Sequence, residues 1–236
     1  MSKIRPGKAL KAILSGSTEV SADDIRKSAK SPLRHPVRRR ILEYLSRRPC
    51  SSLTGISAEF RIALPTVKWH LAKLLEEKYV RKADMGKLVV FYPEDLLDAG
   101  DIPLLSMLCN GMEGKALAAI IEQPGLKTGE LAGITGLDYQ ACARAARRLE
   151  SSNLVASVSD GRSRRHYPTN LLPQRSAALS RRADTFRRTT VRRMEDERLK
   201  PKVLSSKIGG FTVSALILGE RFTMTFSTQP YATVLA

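Results

Sequence analysis

The sequence aligns with itself when it is shifted by 75 residues, and this internal repeat limits the fold more than any other feature. Residues 36–93 then fall on residues 111–168 without a gap, with seven identities in 58 positions. The identical pairs mark the same structural events in the same order: Leu42 and Leu117, Pro49 and Pro124, Leu74 and Leu149, Val80 and Val155, Gly86 and Gly161, and Tyr92-Pro93 and Tyr167-Pro168. Because this unit is longer than typical solenoid repeats, we interpret it as a tandem duplication of one small domain.

Each copy has the hydrophobic pattern of three helices followed by a β-hairpin. In the first copy Pro36 suits a first helical position, a short helix is predicted over 53–60, and a third helix runs from Leu64 or Pro65 to about Lys78. Strand-like segments at 79–83 and 87–92 flank Asp84-Met85-Gly86. The second copy predicts helices over 115–123, 128–134 and 138–152 and a hairpin tip at Asp160-Gly161. This order is typical of the winged helix-turn-helix, whose third helix enters the DNA major groove.

Two motifs in the first copy resemble a known family. His35-Pro36-Val37-Arg38-Arg39-Arg40-Ile41-Leu42 is similar to the opening helix, and Pro65-Thr66-Val67-Lys68-Trp69-His70-Leu71 to the recognition helix, of ArsR-type and related archaeal winged-helix transcription regulators. The resemblance covers about a quarter of the chain strongly and a further quarter weakly, and it implies a DNA-binding regulator of the tandem two-module type frequent in archaea. Metal-sensing members carry a Cys-X-Cys pair before the recognition helix. Residues 52–60 contain no cysteine and Cys50 stands alone, so we expect no metal sensing there.

Helical geometry selects the residues of the first copy that face away from its core. At about 100° per residue, five apolar residues of the third helix share one face, and Trp69 points away from it. These five are Leu64, Val67, Leu71, Leu74 and Leu75. An alternative is that Trp69 packs on the second module or on a dimer partner. His70 lies at the flank of the buried side and is expected to be a core-edge histidine. We expect DNA contacts from Pro65, Thr66, Lys68, Trp69 and Lys73, with Lys87 in the wing.

The same shift locates the corresponding residues of the second copy. Arg144 takes the place of Trp69, and since Arg is the commonest guanine reader and Gln can pair with adenine, this helix is a candidate base reader. The alternative is a solvated basic face. Cys142 and His166 are expected to be structural, with His166 facing Val155 on the neighbouring strand. The candidate contacts are Gln140, Arg144, Arg147 and Arg148 in the helix and Arg162, Arg164 and Arg165 in the wing.

The charge of the chain indicates a polyanionic partner. Forty Lys and Arg against 23 Asp and Glu give a net charge of +17, and nucleic acid is the commonest partner of such a protein. The simpler alternative is that part of that excess only keeps the chain in solution. No apolar run is long enough for a transmembrane helix, and no secretory core is present. The three cysteines, Cys50, Cys109 and Cys142, fit neither a disulfide framework nor a metal site, so a reducing, cytosolic compartment is expected.

The segments outside the repeat carry weaker signals. Ser21-Ala22-Asp23-Asp24 is typical of a helix start, after a basic arm. Residues 171–200 predict one long helix, which is a packing or dimer helix or a basic arm on phosphates. A hairpin turn at Gly219-Glu220 would pair Ile217 with Phe222, Ala215 with Met224 and Val213 with Phe226 on one apolar face. That face must cover the long helix, a dimer mate or a ligand, because a lone hairpin is marginal in water.

The sequence therefore predicts a mainly α, α+β chain: a basic arm (1–31), two winged helix-turn-helix domains (32–100 and 101–170), a basic helix (171–202) and a hairpin tail (203–236). The predicted function is a transcription regulator that binds duplex DNA as a homodimer, is not an enzyme, has no cofactor or metal and does not act at a membrane; any effector ligand is unknown. One alternative is a structural, partner-binding protein of chromosome organisation or basal transcription. Another is an RNA-associated basic protein.

Overall fold

The computed structural model of the protein describes residues 22–235, with side chains from Arg26 onward. The expected basic arm and the cap at Ser21 lie outside the described residues. Helix α1 (Ala22–Lys30) and a short 3₁₀ helix (Pro32–Arg34) lead into the first unit, residues 32–93. This unit consists of α2 (Pro36–Arg47), β1 (Ser51–Ser52), α3 (Leu53–Phe60), α4 (Leu64–Glu76), β2 (Val80–Asp84) and β3 (Val89–Pro93).

The second unit, residues 113–168, has the same element order. Helix α5 (Asp101–Asn110), which the sequence pattern did not predict, connects the two units. Strand β4 and helices α7 and α8 start and end 75 residues after β1, α3 and α4, so the sequence repeat corresponds to a repeat of elements. The unit consists of α6 (Glu113–Glu122), β4 (Leu126–Lys127), α7 (Thr128–Thr135), α8 (Tyr139–Ser151), β5 (Val155–Asp160) and β6 (Ser163–Pro168).

In each unit a three-stranded antiparallel sheet lies beside three helices. The strand orders are β1-β3-β2 and β4-β6-β5, so the long hairpin is joined at one edge by the two-residue strand that precedes the second helix. The hairpins of residues 80–93 and 155–168 are the first and second wings. Together with the C-terminal sheet described below, this architecture confirms the α+β fold class.

The tip of the second wing differs by one residue from the prediction. Asp160 pairs with Ser163 across the strands, so the two central turn residues are Gly161 and Arg162 rather than Asp160-Gly161. Gly161 has φ +60°, a conformation that glycine adopts at no steric cost at the first position of a hairpin turn. The shift places the guanidinium of Arg162 at the end of the wing.

Helix α9 (Leu171–Asp196) is the predicted long helix, and it runs without a break for 26 residues. Its buried side chains are Leu179, Phe186, Thr190 and Met194, and the apolar residues Leu172 and Ala183 are half-buried. After α9 the chain forms a C-terminal sheet in the order β7-β8-β9 and a final helix. These elements are β7 (Lys202–Lys207), β8 (Gly210–Ile217), β9 (Glu220–Ser227) and α10 (Pro230–Leu235), and β7 and α10 were not predicted.

The C-terminal hairpin has the predicted apolar face but a different register. Ala215, not Ile217, pairs with Phe222, and Val213 pairs with Met224, so the predicted pairing is wrong by two residues. The turn is Leu218-Gly219, with φ +51° and +83°, rather than Gly219-Glu220. Two positive φ values match a type I′ turn, in which glycine suits the second position. A shift of two residues keeps every side chain on the same face, so the pattern of buried residues survives the error.

The apolar face of this sheet is covered by the chain itself. The Phe186 ring of α9 lies edge-on to Phe211 and Phe226, with ring centroids 5.6 and 5.9 Å away. At the β9 edge, the backbone N–H of Thr225 donates to Oε1 of Glu43 at 2.7 Å and that of Ser227 donates to Oγ of Ser46 at 3.0 Å. Of the three predicted alternatives, the sheet therefore covers the long helix, and it also rests on α2 of the first unit.

Within residues 22–235, no single helix is long and apolar enough to cross a membrane. Helices α5 and α6 reach the required length and hydropathy only as a pair, which is bent by 94°.

Candidate nucleic-acid interface

The third helix of the first unit exposes most of the residues predicted to contact DNA. Helix α4 starts at Leu64 with Pro65 in its first turn, where the missing N–H of proline costs no intrahelical hydrogen bond. Its buried side carries Val67, His70, Leu71 and Leu74. Lys73 is only half exposed, and its Nζ binds Oε2 of Glu76 at 2.7 Å. The exposed residues are Pro65, Thr66, Lys68 and Trp69.

Trp69 projects outward but is supported from one side by the start of α2. Half of the side chain is exposed, at 51%. The Arg38 guanidinium lies 5.3 Å from the centre of the Trp69 ring, and the His35 ring meets it edge-on at 6.4 Å. Among the described residues, the ring contacts of Trp69 are with His35, Arg38 and His70 of the first unit. A tryptophan held in this way presents a fixed aromatic surface to a ligand, at a low cost in side-chain entropy.

His70 forms the floor of this cluster, as expected of a core-edge histidine. It is 3% exposed, and its Nδ1 has no hydrogen-bond partner among the described residues. Burial, together with the charges of His35 and Arg38, lowers the pKa of His70 to about 4. The Nδ1 of His35 accepts a hydrogen bond from the N–H of Val37 at 3.2 Å and so caps α2. Burial and then the neighbouring arginines also lower the pKa of His35.

The first wing carries two exposed lysines and one paired arginine. In the turn, Asp84 Oδ1 accepts the N–H of Gly86 at 2.9 Å, where φ is +81°. Lys87 follows and is exposed, as predicted, and Lys82 on β2 is exposed as well. Arg81 at the base of the wing forms an ion pair with Glu94. The first unit thus presents one aromatic ring on α4 together with exposed lysines on α4 and in the wing.

The third helix of the second unit has a different chemical character. Asp138 caps α8 by accepting the N–H of Ala141 at 2.7 Å. Small side chains dominate the buried face of α8, which allows a close approach to α6 and α7, and Cys142 is 0% exposed as expected of a core residue. Gln140, Arg144 and Arg147 are exposed. Arg148 also reaches solvent, but its Nη1 lies 2.6 Å from Oε1 of the buried Glu113.

The second wing has one free arginine and two that stabilise the fold. Arg162 at the tip is exposed. Arg164 lies 3.2 Å from Glu150. Arg165 binds Oδ2 of Asp160 at 2.8 Å and the carbonyl oxygen of Gly125 at 2.9 Å. Hydrogen bonds from Arg165 and then Lys127 lower the pKa of Asp160.

His166 is structural, but its neighbours are not those predicted. In the ladder it faces Leu126 and Ser157, while Val155 pairs with Pro168. Its ring nitrogens lie 2.7 Å from Oγ of Ser157 and 3.0 Å from Oγ1 of Thr128. Burial is the main cause of its lowered pKa. The neutral imidazole forms hydrogen bonds through both nitrogens and so connects β6 with β5 and α7.

Sequence reasoning missed two residues of this surface. Tyr139, in the first turn of α8, is 58% exposed. Leu64 was predicted to lie on the buried face of α4, and this prediction is wrong: at the matching position in the first turn of its helix, Leu64 is 42% exposed. The 75-residue shift pairs these two positions, so the signal was present in the repeat. Arg38 was noted only as part of the opening helix, and its contact with Trp69 depends on how α2 packs against α4.

The exposed groups are suited to binding rather than to covalent chemistry. Guanidinium and amide groups hydrogen-bond to base edges and phosphates, and Trp and Tyr rings stack or contact sugars and methyl groups. Among the described residues, no group of three His, Cys, Asp or Glu side chains is placed to hold a metal ion.

Comparison with known proteins identifies one segment. Residues 33–78 match the model of a family described as a helix-turn-helix domain, and this segment runs from the 3₁₀ helix to just beyond α4. A crystal structure of ScpB from Mycobacterium tuberculosis is similar over 58% of this chain and 93% of that one, with 15% identity and a TM-score of 0.24. No curated protein matches the chain. The first unit therefore contains a helix-turn-helix domain, a fold that suggests DNA binding.

Proposed function

We propose that the protein is a sequence-specific transcription regulator that binds duplex DNA through two winged helix-turn-helix domains, residues 32–100 and 101–170, without catalysis. The helix-turn-helix match at residues 33–78 supports the first domain. The second domain is supported by the recurrence of β4, α7 and α8 at the 75-residue offset. The tandem arrangement is of the archaeal type indicated by the motifs of the first copy.

The observation that carries this proposal is the matching exposure of α4 and α8. At the offset of 75 residues, Trp69 and Arg144 are both exposed, whereas His70 and Leu71, like Ala145 and Ala146, are buried. Each third helix thus presents one outward face that its own unit does not cover. In the second unit this face carries Gln140, Arg144 and Arg147, the residue types that read adenine and guanine in the major groove.

The exposed residues divide into two roles. Gln140 and Arg144 read base edges, and Trp69 with Thr66 contacts thymine methyl groups and sugars. Lys68, Lys87 and Arg162 bind phosphates and position the protein without reading sequence. Arg148, Arg164 and Arg165 contribute positive potential while their guanidinium groups hold the second unit together.

We further propose that the protein is a homodimer, because one module reads only a short half-site and dimers bind paired half-sites. As a DNA-binding protein it would act in the cytoplasm, in association with the nucleoid. The C-terminal hairpin face is buried within the chain, so a dimer would use another surface.

Binding to a fluorescent duplex, measured by anisotropy at increasing salt, tests the proposal. Affinity should fall steeply, because each neutralised phosphate contributes about −0.9 to the log–log slope. A subset of sequences should survive excess competitor DNA at physiological salt. Equal affinity for duplexes of every sequence, or a preference for RNA, would contradict a regulator and favour a chromatin-like or RNA-associated role.

A second candidate function, partner binding, is favoured by exposed apolar side chains of the second unit. Ile134, Tyr139 and Val158 are 49%, 58% and 57% exposed, more than expected for a surface that only binds a polyanion. In this case Arg144→Ala would leave DNA sequence preference unchanged, and Ile134→Ser would weaken a protein complex instead.

A further inference from the structure

Helix α9 carries seven arginines, and three of them are used inside the fold. Arg175 lies 3.8 Å from the buried Asp101, Arg182 binds Asp98, and Arg187 lies 3.0 Å from Asp184. Asp98 and Asp101 belong to the segment that joins the two units, so these contacts fix α9 to the rest of the molecule.

Three of the other arginines form a stripe along the exposed side of the helix. Arg181, Arg188 and Arg192 are all exposed and have no ion pair among the described residues. Their spacings of seven and four residues place them on one face, spanning about 16 Å at 1.5 Å per residue. The buried residues Phe186 and Thr190 lie on the opposite side of the helix. We call Arg181, Arg188 and Arg192 the arginine stripe.

The surroundings of the arginine stripe are polar and mostly neutral. Gln174 and Thr185 lie along it and are exposed. The acidic residues beside it are Asp184, which is paired with Arg187, and Glu195 and Asp196, which follow Arg192 by about one turn at the end of the helix. The positive charge of the stripe is therefore least offset at Arg181 and Arg188.

The helix is held rigidly at both ends, so the arginines are fixed relative to the first unit. At the C-terminal end, the Oγ of Ser31 donates a hydrogen bond to Glu197, the residue that caps α9. In the middle, Phe186 packs edge-on against the stacked rings of Phe211 and Phe226. A preorganised row of guanidinium groups binds phosphate oxygens with little loss of helix freedom.

We propose that the arginine stripe is a third DNA contact, which binds the phosphate backbone of duplex DNA in addition to the sites of α4 and α8. The proposal rests on the proposed function. The stripe contains no aromatic side chain on which single-stranded bases could stack. The apolar face of α9 is already buried, so the helix has none left to insert into a lipid surface. The partner is therefore double-stranded, and the contact positions the protein without reading sequence.

The test is the variant Arg181→Gln/Arg188→Gln/Arg192→Gln, with Lys115→Gln/Lys202→Gln/Lys207→Gln as a control. The control removes the same charge from exposed positions outside the stripe and the candidate sites. If each arginine neutralises one phosphate, the stripe variant should reduce the salt slope by about 2.7 on both selected and random duplexes. Its base preference and its melting temperature should match those of the wild type, and the control should keep its slope.

If the wild type binds DNA and the stripe variant has the same salt slope as the wild type, the inference is overturned and the proposed function stays intact. An equal reduction in the control would also overturn it, since net charge alone would then explain the effect. Wild-type protein that binds no duplex would refute both proposals.

Discussion

At the scale of single residues, exposure alone does not distinguish arginines that contact ligands from arginines that stabilise the fold. Arg147 and Arg148 are neighbours in α8 and both are exposed. Only Arg148 reaches Glu113, whose carboxylate is buried and has one oxygen, Oε2, without a hydrogen-bond partner. Removing Arg148 would leave this buried charge unpaired.

The change Arg148→Ala is expected to lower the free energy of unfolding by about 1–2 kcal/mol, a value reduced for the exposure of the arginine. Arg147→Ala is the matched control and should change stability by less than about 0.5 kcal/mol. Urea unfolding measures both. Equal stabilities of the two variants would show that the Arg148–Glu113 pair contributes nothing.

The buried His70 makes the stability of the first unit depend on pH. Its pKa is about 4 in the folded protein and 6.5 in the unfolded chain. Between these values the unfolded state binds more protons, so stability is fully present above pH 6.5 and falls as the pH drops towards 4. His70→Gln should show a smaller loss between pH 7 and pH 5 in urea unfolding. The lowered pKa values of His35 and His166 also reduce stability as the pH falls, whereas burial raises the pKa of Glu197 to about 7 and has the opposite effect. Both proteins share these contributions. An identical loss in both proteins would be evidence against this role of His70.

At the scale of elements, backbone conformation at turns decides the strand register. Gly219 has φ +83° in the two-residue turn between β8 and β9, a region that a side chain disfavours. Gly219→Ala should therefore destabilise the protein by about 1 kcal/mol. Gly129→Ala is the control with opposite sign, because Gly129 lies within α7 with open space around it and alanine is the better helix former. Thermal unfolding compares the two, and a stabilising Gly219→Ala would contradict the assigned turn.

The sequence predicted the helices and strands of the two units, but it did not predict the helix that connects them or the contacts between distant residues. The apolar spacing located α3 and α4, and the 75-residue shift carried them over to α7 and α8. Helix α5 was missed because its apolar residues pack on both units and leave no clean stripe. The hairpin register was missed because Leu218 adopts a positive φ, which leucine rarely does. Pairs such as Arg148–Glu113 join residues far apart in the chain, and only the packed structure brings them together.

At the scale of the whole molecule, the C-terminal sheet and α9 form a support for the first unit. The sheet packs on Phe186 of α9 through Phe211 and Phe226, and its β9 edge is bound by Glu43 and Ser46 of α2. Burial raises the pKa of Glu43, although the hydrogen bond from Thr225 favours the ionised form. The tail thus contributes to the position of α2, the helix whose Arg38 supports Trp69.

A chain that ends at Lys207 should lose thermal stability, because α9 then loses its contacts with β8 and β9, while its oligomeric state in sedimentation stays that of the wild type. Phe226→Ala is a milder variant that keeps the sheet, and it should cost about 3–5 kcal/mol. A lower oligomeric state with an unchanged melting temperature would assign the tail to a dimer interface instead.

The most direct test of the central claim is selection of bound duplexes from a random library at physiological salt, performed with the wild type, Arg144→Ala and Arg162→Ala. The account predicts an enriched sequence for the wild type. Arg144→Ala should lose preference at one or two positions, at a cost of about 1–3 kcal/mol on the preferred site. Arg162→Ala should keep the same sequence with weaker binding to all duplexes. No enrichment by the wild type, or an unchanged preference in Arg144→Ala, would contradict base reading by the second unit.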